Sequence, residues 1–231
     1  EYAWKRSCDE NNIKKSFKFY KKYIGLPFLE ILKKLKIDKN YHPNIKRSYY
    51  LHSLNKIKSV KMSKYHANIL KKLKERYILA LFTSKNKKRA EEVLGPYKDL
   101  FKYKIYPSNK FLGKPNPHGL NKIIKLSKLK KKDAIYIGDT IYDHQCSKEA
   151  NIDYLHANWG YHDIKNKKLI KVNNLDEIND YLENKISIKS IYVKNIYPSV
   201  NTKKELKNLL SLASKDKNEI NILNKIKKIE N

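Results

Sequence analysis

The chain is predicted to be an α/β protein: a Rossmann-like parallel sheet with helices on both faces, carrying a small α-helical cap. Three observations predict this. From Met62 onward short apolar runs alternate with amphipathic stretches, the pattern that a parallel sheet covered on both faces produces. Before about Ile57 no convincing strand appears, only helix-like spacing of apolar residues. Finally, hydroxyl and acidic residues directly follow two of the apolar runs, at the edge where open parallel sheets bind ligands.

Taken in order, Trp4, Cys8, Phe17, Tyr20 and Tyr23 recur at loosely helical spacing, and Pro27-Phe28-Leu29-Glu30-Ile31-Leu32 opens a further helix. Ile69, Leu70 and Leu73 face inward on a helix that leads to a strand at Tyr77–Phe82. The helix after Thr83 ends at Leu94, before Gly95, a residue suited to a left-handed cap. A short strand follows near Tyr103–Tyr106, then a helix after Pro117 with Leu120, Ile123 and Ile124 on one face. Ala134–Ile137 is read as a strand, His144–Ala150 as a helix, Tyr154–Ala157 as a strand and Leu175–Leu182 as an amphipathic helix. The resulting division is a helical cap at 1–60, an α/β core at 61–184 and a lysine-rich C-terminal extension at 185–231, with helix-like stretches at Lys203–Ala213 and Glu219–Ile229.

Lysine and arginine together number 52 against 23 acidic residues, a balance that raises nucleic acid or an anionic membrane as a partner. Arginine, the residue that best reads phosphate forks and base edges, contributes only Arg6, Arg47, Arg76 and Arg89. The basicity is lysine scattered through every segment together with asparagine and isoleucine, which favours compositional bias over a nucleic-acid surface. Cys8 and Cys146 fit no metal-ligand spacing and read as buried thiols in a reducing, cytoplasmic compartment. No apolar run approaches the ~20 residues that a membrane span needs.

Three short segments carry chemistry. The strand at 77–82 ends in Thr83-Ser84-Lys85, Gly113-Lys114-Pro115-Asn116-Pro117 follows, and the strand at 134–137 ends in Gly138-Asp139-Thr140-Ile141-Tyr142-Asp143. Singly each is weak, since a Thr-Ser pair after a strand is most often a helix cap and Gly-Asp a turn. Together they supply what phosphoryl chemistry requires. Thr83, Ser84 and the amides after them can hold phosphate oxygens, and Lys114 can supply a point charge to the same group. Asp139 can bind Mg2+, and Asp143, one helical turn on, is a second ligand or the hydrogen-bonding partner that orients the site. The seven histidines form no paired ligand set, and each reads by default as a surface or cap polar residue. No dinucleotide or P-loop motif is present.

In this order and spacing, Leu79–Lys85, Gly113–Pro117 and Tyr136–Asp143 resemble the second, third and fourth motifs of the haloacid dehalogenase superfamily, most closely its phosphoglycolate-phosphatase-like members. The similarity runs from about Glu1 to Tyr161, with Tyr23-Ile24-Gly25-Leu26-Pro27 matching the cap and Trp159-Gly160-Tyr161 the loop after a later strand. It implies a magnesium-dependent hydrolase of small phosphomonoesters working through a phospho-aspartate intermediate, with Thr83, Lys114 and Asp139 as catalytic residues, Thr83, Ser84 and Lys114 on the phosphate, and Asp139 and Asp143 at the metal. A phosphomutase is the alternative, and a non-catalytic phosphate-binding pseudoenzyme is another. The superfamily's first motif, DxDxT, which carries the nucleophile, has no counterpart in the chain. A segment of roughly 15 residues upstream of Glu1, a strand and a turn, is therefore expected. The same resemblance puts that strand in the middle of the sheet, between those ending at Thr83 and Gly138.

Overall fold

The computed structural model describes residues 1–57, 63–108, 113–183 and 190–193, the last four by their backbone. Four helices come first: α1 (Tyr2–Glu10), α2 (Phe17–Lys21), α3 (Phe28–Lys34) and α4 (His42–Asn55). They enclose an apolar cluster of their own, built on Trp4, Cys8, Tyr20, Ile31, Leu32 and Ile45. Aromatic rings hold it together: Trp4 stacks on Tyr20 with centroids 4.3 Å apart, and Phe28 stacks on Tyr49 at 4.6 Å. Such pairs contribute about 0.5–1.5 kcal/mol beyond their buried area. Glu10 ties α1 to α4 by accepting from the Ser48 hydroxyl and pairing with His52 at 2.6 Å.

The α/β part follows in the order α5 (Lys64–Arg76), β1 (Ile78–Phe82), α6 (Lys87–Leu94), β2 (Tyr103–Ile105), α7 (His118–Ser127), β3 (Ala134–Gly138), α8 (Ile141–Ala150), β4 (Asp153–Ala157), β5 (Lys171–Val172), α9 (Leu175–Glu183) and β6 (Ser190–Val193). Caps set the helix starts. Ser63 opens α5 by accepting from the His66 amide, and Asn86 opens α6 by accepting from Arg89. Thr140 and Asp143 form a reciprocal capping box at α8, which starts that helix at Ile141 rather than at the expected His144.

All six strands are parallel, in the order β2-β1-β6-β3-β4-β5. Successive strand residues point to opposite faces. Leu79, Leu81, Ile135, Ile137 and Leu155 pack under α5 and α9, whereas Ala80, Phe82, Ala134 and Tyr136 pack under α7 and α8. Both faces are thus covered, and β1 and β3 are apolar along their whole lengths.

The centre of the sheet holds the main departure from expectation. A strand-wide space separates β1 from β3, and β6 fills it: Leu81 and Ile137 both pair with Val193. Residues 190–193, assigned from the sequence to a peripheral extension, are instead a central strand. Residues 184–189 and 194–231, including both helix-like stretches of the extension, lie outside the described residues. Among the described residues no helix is long and apolar enough to cross a membrane.

Candidate active site

Because β1 and β3 share one register through Val193, Thr83 and Asp139 stand at the same level, two residues beyond the paired Leu81 and Ile137. One intervening strand sets their backbones about 9–10 Å apart at the carboxyl edge. Thr83 is 3% exposed, and its hydroxyl accepts from the Lys85 amide at 3.2 Å, tightening the turn into α6. Ser84 faces the cap instead, donating to the Gly25 carbonyl at 2.6 Å.

Lys114 meets side chains of both strands, Phe82 of β1 and Tyr136 of β3. It is 1% exposed, with its ammonium 4.9 Å from the Phe82 ring centroid, 5.5 Å from that of Tyr136 and 2.8 Å from Asp143 Oδ1. A lysine so buried must be compensated, and Asp143 compensates it. Both oxygens of Asp143 are engaged. Oδ1 pairs with the Lys114 ammonium and accepts from the Tyr136 hydroxyl at 2.7 Å, while Oδ2 accepts from the Thr140 amide and hydroxyl. Burial, and then the neighbouring Asp143 carboxylate, push the Tyr136 phenol well above its ordinary value, so it stays a neutral donor.

Asp139 is 2% exposed, and its Oδ2 accepts from the Tyr161 amide at 3.1 Å while its carbonyl accepts from the His162 amide at 3.1 Å. Two glycines permit this approach. A Cβ on Gly160 would lie 2.0 Å from Asp139 Cβ, and one on Gly138 would lie 2.4 Å from Asp143 Cβ.

The cap loop at 21–27 seals the edge. His162 accepts from the Ile141 amide through Nδ1 and donates from Nε2 to the Lys21 carbonyl at 3.1 Å, joining the start of α8 to the cap. Pro27 lies against Gly113, on the loop that carries Lys114. His156 is fully buried and bonds the His162 carbonyl at 2.8 Å through Nε2, contrary to the expectation of a surface or cap residue. Burial holds its pKa below the ordinary value.

The geometry sorts the expected site residues. Lys114, Asp139 and Asp143 share one buried edge, with Thr83 facing them across the central strand, and Ser84 is committed to the cap. Among the described residues no three metal-ligating side chains cluster. Asp139 nevertheless suits Mg2+, which needs few carboxylates and completes its shell with water and substrate oxygens. Tyr136, Thr140, His156 and the Tyr161 amide escaped sequence reasoning. Of these only Thr140 had a readable signal, the three-residue interval to Asp143 that a capping box requires.

Residues 3–157 match the family model described as haloacid dehalogenase-like hydrolase. The chain belongs to that family. Solved structures agree in fold. A haloacid dehalogenase-like hydrolase from Streptococcus pneumoniae is 17% identical with a TM-score of 0.65, covering 78% of this chain and 88% of its own. A hydrolase from Pseudomonas syringae is 18% identical with a TM-score of 0.64, covering 88% and 90%. A protein from Haemophilus somnus described as a predicted phosphoglycolate phosphatase is 17% identical with a TM-score of 0.65, covering 78% and 88%. No curated protein sequence matches the chain.

Proposed function

We propose that this haloacid dehalogenase-like chain carries the phosphate- and metal-binding parts of a phosphomonoester hydrolase. The observation that carries the reading is the Lys114–Asp143 pair, 2.8 Å apart with both side chains wholly buried, beside Asp139 at the carboxyl edge of the sheet. A buried ion pair seldom repays its desolvation, so stability alone gives little reason to keep one. A fixed ammonium aimed at an anion site does give a reason.

In this reading the Thr83 hydroxyl and the Lys114 ammonium hold the oxygens of the transferring phosphoryl group. Asp139 would hold Mg2+, which when bound neutralises phosphoryl charge. Asp143 orients Lys114 by charge and Tyr136 by a hydrogen bond rather than ligating metal, since an ion pair and three hydrogen bonds already occupy its oxygens. The loop at 21–27 excludes bulk water from the site. A small phosphorylated metabolite is the substrate class, and the nucleophile would be a carboxylate on a strand that takes the place of β6 between β1 and β3.

A second reading is favoured by β6. That strand occupies the nucleophile's expected position, and Lys194-Asn195-Ile196, which follow it in sequence, include no carboxylate. The chain would then bind phosphate without turning it over. Calorimetry with inorganic phosphate and Mg2+ tests what the two readings share: binding is expected, and binding unaffected by Lys114→Ala excludes both. Fusing an apolar strand ending in DxDx[TV] ahead of Glu1 and assaying p-nitrophenyl phosphate separates them. Mg2+-dependent turnover is expected of the hydrolase, and its continued absence favours the binding protein.

A further inference from the structure

The sheet has a second edge, where its parallel strands begin, and the approach to β3 on that edge is densely basic. Six of the eleven residues from Lys122 to Lys132 are lysine and none is acidic, against 52 lysines and arginines in 231 residues overall. A compositional bias spread evenly over the chain does not produce that density. Lys122 and Lys125 stand on the exposed side of α7, Lys128 ends that helix in a left-handed conformation, and Lys130, Lys131 and Lys132 lead into β3, all exposed. Among the described residues none of Lys125, Lys128, Lys130, Lys131 and Lys132 pairs with a carboxylate. Lysines at the end of a helix answer its dipole, which accounts for Lys125 and Lys128. The three that follow have no such role.

Apolar surface lies among these charges. Leu126, in the last turn of α7, is 46% exposed. Its carbonyl accepts from the Tyr103 hydroxyl at 3.0 Å, which ties the end of α7 to the start of β2, and there the exposed Lys102 lies 5.7 Å from the Tyr103 ring centroid. The starts of β2 and β3 are three strand positions apart, so the basic face extends about 14 Å across the sheet. It lies opposite the candidate active site. Thr83 and Asp139 follow the ends of β1 and β3, roughly 16 Å along the strands from Ile78 and Ala134.

We propose that this amino edge is a docking surface for an anionic phospholipid bilayer, with the lysines on the headgroups and Leu126 entering the interface. Charge complementarity selects an anionic partner, and the side-chain types select which one. Lysine stems lie along apolar surface while their heads stay in water, so lysines around an exposed leucine suit the boundary between headgroups and acyl chains. A nucleic-acid surface would present arginine forks or free aromatic faces. Lys102, Tyr103 and residues 122–132 include no arginine, and the one aromatic ring among them is half-buried, with Lys102 over it and its hydroxyl bonded to α7. Docked this way, the carboxyl edge of the sheet faces the aqueous phase. The inference stands apart from the phosphate-site reading.

The test is co-sedimentation of the 231-residue chain with vesicles of phosphatidylcholine alone or mixed with about one-third phosphatidylserine, at about 0.1 M salt. Binding is expected to the mixed vesicles and not to phosphatidylcholine alone. Each lysine near such a surface contributes about fivefold in partitioning, so Lys130→Gln, Lys131→Gln and Lys132→Gln together should weaken binding about 100-fold. A cap variant of equal net charge, Lys34→Gln with Lys39→Gln and Lys46→Gln, should weaken it less than about fivefold. Leu126→Ser leaves the charge unchanged and should weaken binding severalfold. All seven side chains are exposed, so the variants keep the fold. No binding to the mixed vesicles overturns the proposal, and so does full affinity in Leu126→Ser. Equal losses in the two triple variants overturn it by showing that diffuse charge is enough. A DNA duplex that binds more tightly than the mixed vesicles, and is lost in the first triple variant, assigns the face to nucleic acid instead.

Discussion

Lys114 and Asp143 are paired at 2.8 Å with neither side chain exposed, and the same carboxylate also caps α8. Asp143→Asn would leave the ammonium buried beside a neutral amide and weaken the capping box. A loss of about 3–5 kcal/mol in chemical denaturation is expected, the range for stranding one member of a buried pair. Lys114→Met removes the other charge but leaves Asp143 three further donors, so a smaller loss is expected. Equal losses in the two variants would show that the pair itself, not the carboxylate's other bonds, holds the edge together.

Gly160→Ala tests whether the loop after β4 positions Asp139. The new methyl group would press on the Asp139 side chain, since the ideal Cβ position lies 2.0 Å from Asp139 Cβ and 2.5 Å from Oδ2. Mg2+ affinity, read by calorimetry with phosphate present, should fall at least tenfold and approach that of Asp139→Asn. Unfolding free energy should drop by about 1–3 kcal/mol, the usual cost of overpacking. Unchanged Mg2+ affinity would remove the loop from the account of the site.

His156 predicts an acid-side loss of stability. Burial depresses its folded-state pKa below the ordinary 6.5, so below that pH the unfolded chain takes up a proton that the folded chain refuses. Stability from this residue is therefore intact above pH 6.5 and falls as the pH drops toward the folded pKa. His66 and His144 are shifted in the same direction, also by burial. Denaturant midpoints should decline as the pH falls below about 6.5, and His156→Asn should flatten that slope. A variant with the slope of the parent would assign it to the other histidines.

His162 spans core and cap through the Ile141 amide and the Lys21 carbonyl. His162→Phe keeps the ring and removes both bonds, at a cost of roughly 1–3 kcal/mol. Amide exchange at residues 21–27 should quicken while the amides of β1 and β3 stay protected. Faster exchange throughout would mean that the residue stabilises the whole domain rather than the closed cap.

The α/β class and the chemical edge were legible because both depend on local pattern. Ile78–Phe82 and Ala134–Gly138 are apolar on both faces, and Thr83, Lys114 and Asp139 follow elements whose ends the sequence marks. Tyr136 and His156 were not legible in their roles, because an alternating apolar strand looks the same whether or not one phenol or imidazole on it bonds a neighbouring loop. Ser190–Val193 read as periphery because four residues between lysine-rich stretches carry no local sign that two distant strands will receive them.

The position of β6 also sets the order of events at the ribosome. Its partners β1 and β3 are complete by Gly138, yet Val193 emerges 55 residues later, an interval of roughly 3–11 s at cellular synthesis rates. Before Val193 emerges β1 has β2 as a partner, and β3 has β4 and through it β5, giving two half-sheets that each turn an apolar edge toward the position of β6. Parallel strands brought together over such sequence distances pair slowly. Any extended apolar segment of similar length, from this polypeptide or a neighbouring one, can enter the slot first. Which strand occupies the heart of the domain is thus decided by arrival time as well as by fit.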